Sequence, residues 1–326
     1  DKGEPSLEMQ LAGSNLRITA DEPALDLPVD HVALQAHLRQ EKNGWTLFTS
    51  DLQLTQGDVQ LTLPRMQLDV WGNALQVRAQ DVPVEPLNRL VAQVEAVPEK
   101  LRDIFALLQP RGRLTALQAR VGNIEQLQGD WEVAVNFEDL GVEPFKGAPG
   151  VTAAGGYAQL GPEGGFVILD SQNLTMDFPG IYHNALAFDE FYGTLYLDWD
   201  EHFFNLSSGL VTGRGEEGRA QVLFGLEIPL EKRESGIEMD LLVGLENTHP
   251  DYRAKYLPYI LNPSLLTWLS DSIGDGHIAQ GAFLWRGSLA RDKAPMRTVQ
   301  LAFNLADTRL EYDPRWPPLT VQSGVV

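Results

Sequence analysis

The stretch "LQLTQGDVQLTLPRMQLDVWGN", Leu52 to Asn73, alternates apolar and polar residues with few breaks. Leu52 and Leu54, then Val59, Leu61 and Leu63, then Met66, Leu68 and Val70 are separated by Gln, Thr, Arg and Asp. Successive side chains of a strand point to opposite faces, so this period of two predicts half-buried strands with one apolar and one hydrated face. "TQGD" and "WGN" interrupt the alternation as tight hairpin turns do, and "EKNG" does the same upstream. Sequential strands are therefore expected to pair antiparallel, as a meander.

The same signature extends in both directions. Leu7, Met9 and Leu11 carry it near the start. Trp131, Val133, Val135 and Phe137 carry it in the middle, followed by Val222, Phe224, Leu226 and Ile228. Ile237, Met239, Leu241 and Val243, then Val299, Leu301, Phe303 and Leu305, continue it toward the end. Such runs predict roughly twenty strands, more than one open sheet holds without curling, splitting or closing. Two segments break the period. Leu87, Leu90, Val91 and Val94, then Leu101, Ile104, Phe105 and Leu108, fall at helical spacing, so residues 84–109 are expected to be a helical insertion. Pro110 and Gly112 end it. Asn262 as a cap, Pro263 in the first turn and Gly274 as a stop predict a second short helix over 263–273, with Leu265, Trp268 and Leu269 on one apolar stripe. These helices are too few to cover so long an apolar face. A second sheet, a closed barrel or a ligand must do it, and the pattern leaves that choice open.

Composition narrows the function. The chain has 326 residues, a formal charge of −20 and no cysteine. That charge repels nucleic acid and anionic membrane surfaces, and the lack of thiols removes disulfides, zinc–thiolate sites and cysteine nucleophiles. The opening at Asp1 reads as a cut from a longer protein, and no run is long and apolar enough for a membrane span. "GRGEEG", Gly213 to Gly218, matches the dinucleotide-binding glycine spacing formally, but alternation on both sides makes it a hairpin, and Glu216 with Glu217 would repel a pyrophosphate. Asp198, Asp200, Glu201 and His202 in "LDWDEHFF" could ligate a divalent metal but read more simply as a solvated turn. His31, His37, His183, His202, His249 and His277 are scattered, and no catalytic spacing involves them. No catalytic residue, metal or cofactor is assigned.

Three blocks resemble one family. "YLPYILNPSLLTWLSDSIGDGHIAQGAFLWRGSL", Tyr256 to Leu289, with Tyr256, Leu257, Pro258, Trp268, Leu269, Gly276, Gly287 and Leu289, is similar to a hallmark segment of the AsmA-like proteins of Gram-negative bacteria, in their YhdP branch. "LEYDPRWPPL", with Tyr312, Trp316 and Pro317, and "LLQPRGRL", Leu107 to Leu114, resemble two further blocks. The resemblance implies an all-β fold with a few short helices, a long, mainly antiparallel sheet curled into an open groove with an apolar lining. It implies an interior, periplasmic segment of an inner-membrane-anchored protein, one continuous groove over residues 1–326 that carries phospholipids between inner and outer membranes without catalysis. Acyl chains would then be the missing layer over the alternating residues named above, with Leu265, Trp268 and Leu269 either as a plug or gate or, in a packed structural role, as a cap on the sheet's exposed edge. A structural or adhesive β-sandwich or barrel is the competing reading, and a carbohydrate-active enzyme a more distant one.

Overall fold

The computed structural model describes residues 5–20, 25–91, 106–124, 129–145, 147–231, 236–256, 259, 262–272, 274–290, 297–313 and 315–325. Among them seventeen strands form a long antiparallel sheet with a few short helices, as the alternation predicts. The chain divides into two compact units, the first comprising residues 1–145 and 152–162, the second residues 146–151 and 163–326. Residues 92–105 of the expected helical insertion, with Val94, Leu101, Ile104 and Phe105, lie outside the described residues, and residues 106–108 at its end are helical.

In the first unit β1 (Ser6–Ala20), β2 (Leu25–Glu41), β3 (Gly44–Gln56), β4 (Val59–Trp71), β5 (Ala74–Pro83), β6 (Arg111–Val121) and β7 (Trp131–Val142) pair each with the next. The quoted stretch supplies β3, β4 and their two-residue turn at Gly57 and Asp58. α1 (Val84–Val91) lies between β5 and β6. β8 (Gly150–Gly161) completes the strands up to the change of unit.

The strands are long, up to 17 residues in β2, and each second one is broken in a specific way. Asn15 in β1, Asp51 in β3, Asp81 in β5 and Asp139 in β7 all have φ between 52° and 55°. This is the left-handed region, which asparagine and aspartate tolerate better than other residues with a side chain. A strand bends at such a residue, and the alternation restarts with the opposite parity. In β3, Leu47 and Thr49 precede Asp51, whereas Leu52 and Leu54 follow it, yet all four belong to the same face by their partners Leu68, Met66, Leu63 and Leu61. Pro64 sits at this break and has no pairing partner there, so its missing N–H removes nothing from the ladder.

In the second unit β9 (Gly164–Asp177) pairs with β10 (Leu186–Trp199), which pairs with both β11 (Phe203–Ser208) and β12 (Val211–Gly215). β13 (Gly218–Pro229), β14 (Glu238–Thr248), β15 (His277–Ser288), β16 (Arg297–Leu310) and β17 (Leu319–Val325) follow in order. The left-handed break recurs at Asn173, Asn247 and Asp307. Two glycines of the blocks that resemble the family abut such breaks. A methyl group on Gly112 would lie 2.4 Å from the carbonyl oxygen of Asp139, and one on Gly276 would lie 2.6 Å from Cα of Thr308, the residue after Asp307. With φ of 114° and 155°, both positions need glycine for conformation as well as space.

"GRGEEG" forms the expected hairpin, with Gly215 opposite Gly218. Glu217 in its turn accepts hydrogen bonds from Lys255 and Tyr256 of α2 (Arg253–Tyr256). The Tyr259 hydroxyl donates to the carbonyl of Pro179 at 2.7 Å, and its ring stacks on His183 at 4.6 Å. The two tyrosines of "YLPY" thus tie the segment before the second helix to the β12–β13 turn and to the connection between β9 and β10.

Candidate functional site

The cross-strand registers convert the one-sided alternation into rows. In the first unit Leu7, Leu38, Leu47, Leu68, Val77, Ala119 and Val133 lie opposite one another across seven strands. A second row runs parallel through Met9, Ala36, Thr49, Met66, Ala79, Leu117 and Val135. A third, through Trp45, Val70, Leu75, Val121 and Trp131, lies toward the Lys42–Asn43 turn. No charged residue occurs in these three rows. The intervening positions form the opposite face, where Thr46 and Arg78 both donate to the Asp69 carboxylate, at 2.8 and 2.9 Å. A furrow of about 1130 Å³ on that polar face is bordered by His37, Phe48, Arg65, Gln67, Gln80 and Asn136, among others. It runs between two mostly polar rows that also include Phe48, Ala116 and Ala134.

The line of left-handed breaks divides the apolar face into two zones of different burial. Beyond it Val29, Leu54, Val59, Leu61, Leu63 and Val82 are buried together with Leu90 of α1, and Leu52 and Leu87 pack beside them. Of the residues expected as lining, Leu54, Val59, Leu61 and Leu63 are thus buried in one cluster with Leu90 of the amphipathic helix, and Leu52 packs against it. The cluster reaches one row past the breaks: Ala79 belongs to it, Met66 and Leu117 pack against it, and Ala36 and Thr49 are buried as well. Farther from the breaks the face stays open. Leu7, Met9 and Leu11 are exposed, Leu7 by 55%, and Met66, Leu68, Val70, Trp131, Val133 and Val135 are half-buried. Phe137, next to the break in β7, is buried.

The second unit repeats this division. Val222, Val243, Phe283 and Leu301 form one row, and Phe224, Leu241, Trp285 and Val299 the next. Leu226, Met239, Gly287 and Arg297 form a third, and Ile228 pairs with Phe204, which stacks on Trp199. These residues are half-buried, apart from Val299 and Leu301, which are exposed. Ile237 is half-buried just before β14, and its carbonyl accepts from the Leu289 amide. Near the break Leu305 is 1% exposed; Phe303 is half-buried. The Arg297 guanidinium lies over the Trp285 ring at 5.3 Å and donates to the carbonyls of Ser288 and Ala290.

α3 (Pro263–Ser272) has the expected cap, with Asn262 Oδ1 accepting from the Ser264 amide at 2.9 Å. Its expected stripe is divided: Leu269 is buried against Leu310 and Val321, beyond the break at Asp307, whereas Leu265 and Trp268 are exposed. The Trp268 indole donates to the Tyr312 carbonyl at 3.2 Å. The Gly274 amide donates to the Arg309 carbonyl, starting the next strand pairing.

The other candidates resolve into structure. Asp200 Oδ1 accepts from the amides of His202 and Phe203, closing the turn between β10 and β11, and Asp198 accepts from Asn205. Among the described residues no group of three His, Cys, Asp or Glu side chains is placed to hold a metal ion, and no helix is long and apolar enough to cross a membrane. Tyr256 is one of the perturbed acids of the second unit. Burial, then the hydrogen bond and charge of Glu217, hold its pKa well above the usual phenol range.

The decisive comparison is with a family model described as YhdP protein, which matches residues 1–326. The chain belongs to the YhdP family. This is a lipid-transport family of the cell envelope. Searches among curated proteins and among solved structures gave no match. The rows include residues that alternation alone did not single out, Leu38, Leu47, Val77, Phe283 and Trp285 among them; Leu47 and Val77 could have been found by following β3 and β5 from their turns and allowing one switch of parity, at Asp51 and at Asp81.

Proposed function

We propose that this chain carries phospholipid between the inner and outer membranes, as a non-enzymatic segment of a bridge whose apolar strip holds acyl chains. One observation carries the reading: rows of apolar residues, continuous across consecutive strands, remain half-exposed after every helix of the described chain has been placed. An exposed apolar surface of that extent marks a binding face, and an acyl chain gains about 0.8 kcal/mol for each buried CH₂. Headgroups stay at the hydrated margin, and the three rows of the first unit offer them no charge. Binding is therefore expected to depend on acyl chains and only weakly on headgroup. Native mass spectrometry of the purified chain should find phospholipids of mixed headgroup bound to it. A lipid-free, stable protein, or strict selection of one anionic headgroup, would count against the reading.

A further inference from the structure

The first unit has more apolar surface than it leaves open, and the division falls one row past the line of left-handed breaks, where Ala36, Thr49 and Ala79 are still buried. On the open side Leu47, Leu68 and Val77 lie in one register row and are half-buried. On the other side Leu61 and Leu63, on the same face of β4, are each 6% exposed, in a cluster that includes Leu90 of α1. α1 is held there in three ways. It follows β5 directly, so its start is fixed by the sheet. Leu87 and Leu90, one helical turn apart, both face the cluster. Arg89 pairs with Asp58 in the β3–β4 turn at 3.1 Å. Lifting the helix would expose a set of leucines and valines to water, so the covered form dominates.

We propose that α1 is a built-in partition: it withholds the zone beyond the breaks from lipid and confines acyl chains to the strip between the breaks and the β2–β3 and β4–β5 turns. The inference rests on the lipid reading above and narrows it. Two inward positions of β3, Trp45 and Leu47, are open on this strip, Thr49 beside the break being buried, and at about 3.4 Å per residue they reach across roughly 7 Å. The path is therefore narrower than the sheet, and its width is set by where Asp51 and Asp81 fall.

The chain contains no cysteine, so single thiols report position directly. Leu47→Cys, Leu68→Cys, Leu61→Cys and Leu63→Cys would each be introduced into the 326-residue chain and incubated with phosphatidylethanolamine and phosphatidylglycerol vesicles doped with a phospholipid carrying a maleimide at the end of one acyl chain. Intact mass then reads the adduct. Adducts are expected at Leu47→Cys and Leu68→Cys, with those at Leu61→Cys and Leu63→Cys below about one-tenth of that level, as a rarely opening cover requires. Adding Leu90→Asp to Leu63→Cys should raise its adduct toward the level of the open positions. The parental comparison stands even if that double variant folds poorly. Comparable adducts at all four positions, or adducts confined to Leu61→Cys and Leu63→Cys, would overturn the partition while leaving lipid binding in place. Adducts at none of them would overturn the lipid reading itself.

Discussion

Asp51, Asp81, Asp139 and Asp307 each hold a strand in a conformation that costs an ordinary residue about 1–2 kcal/mol, and they do so where the inward parity switches. Asp51→Gly should consequently leave stability nearly unchanged, whereas Asp51→Val should lower it by about 1–3 kcal/mol, read from the urea midpoint. Gly276 faces the corresponding constraint from across the ladder. Gly276→Ala should cost about 2 kcal/mol or more, because the φ is unfavourable and the added carbon meets the Thr308 backbone. Gly225→Ala, in open space on β13, serves as the control and should shift the midpoint little. At this scale the sequence was legible for Leu61, Met66 or Leu241, because a period of two marks a buried face directly. It was not legible at Asp51 or Asp307. Each looks like one more polar residue in an alternating run, although "SDL", "QDV", "EDL" and "ADT" share a polar or small residue, an Asp and then an inward residue. Only pairing reveals that the face has been kept while the parity changed.

Helical spacing predicted the start of the insertion at Val84, and capping chemistry predicted α3, because both follow from local rules. What each helix covers depends on contacts remote in sequence, which explains why Leu61 and Leu63 read as open lining. Leu90→Ala should lower stability by about 2–3 kcal/mol, as expected for a buried leucine, while Trp268→Ala, on an exposed face, should cost less than about 1 kcal/mol. The tie between α2 and the β12–β13 hairpin can be tested by pH. The folded chain keeps the Tyr256 proton above the usual value, so over the range that starts near pH 10 the unfolded chain releases a proton that the folded chain retains. Stability must fall there as pH rises, and below pH 10 this group adds no slope. The advantage of the parent over Tyr256→Phe should be constant below about pH 10 and shrink above it, a difference that equilibrium unfolding at a series of alkaline pH values would measure.

For the molecule as a whole, the lipid reading separates two properties that an ordinary hydrophobic core keeps together. A residue of a closed core supports folding, so a charge placed there unfolds the protein; a residue of an open lining already meets water in the lipid-free chain, so a charge there is tolerated by the fold and opposes only the ligand. Leu63→Glu should accordingly destabilise strongly, by about 3 kcal/mol or more, since it buries an unpaired carboxylate. Leu68→Glu in the first unit and Leu241→Glu in the second, both on half-exposed rows, should cost much less, about 1 kcal/mol. The same two substitutions should sharply reduce the phospholipid recovered with the chain and block lipid passage in the intact protein at unchanged abundance. A sandwich or barrel gives the opposite correlation: Leu68 and Leu241 would then be core residues, and their glutamate variants would be lost to unfolding together with Leu63→Glu. Thermal midpoints and bound-lipid mass measured on the same three preparations therefore decide between an open lining and a closed one.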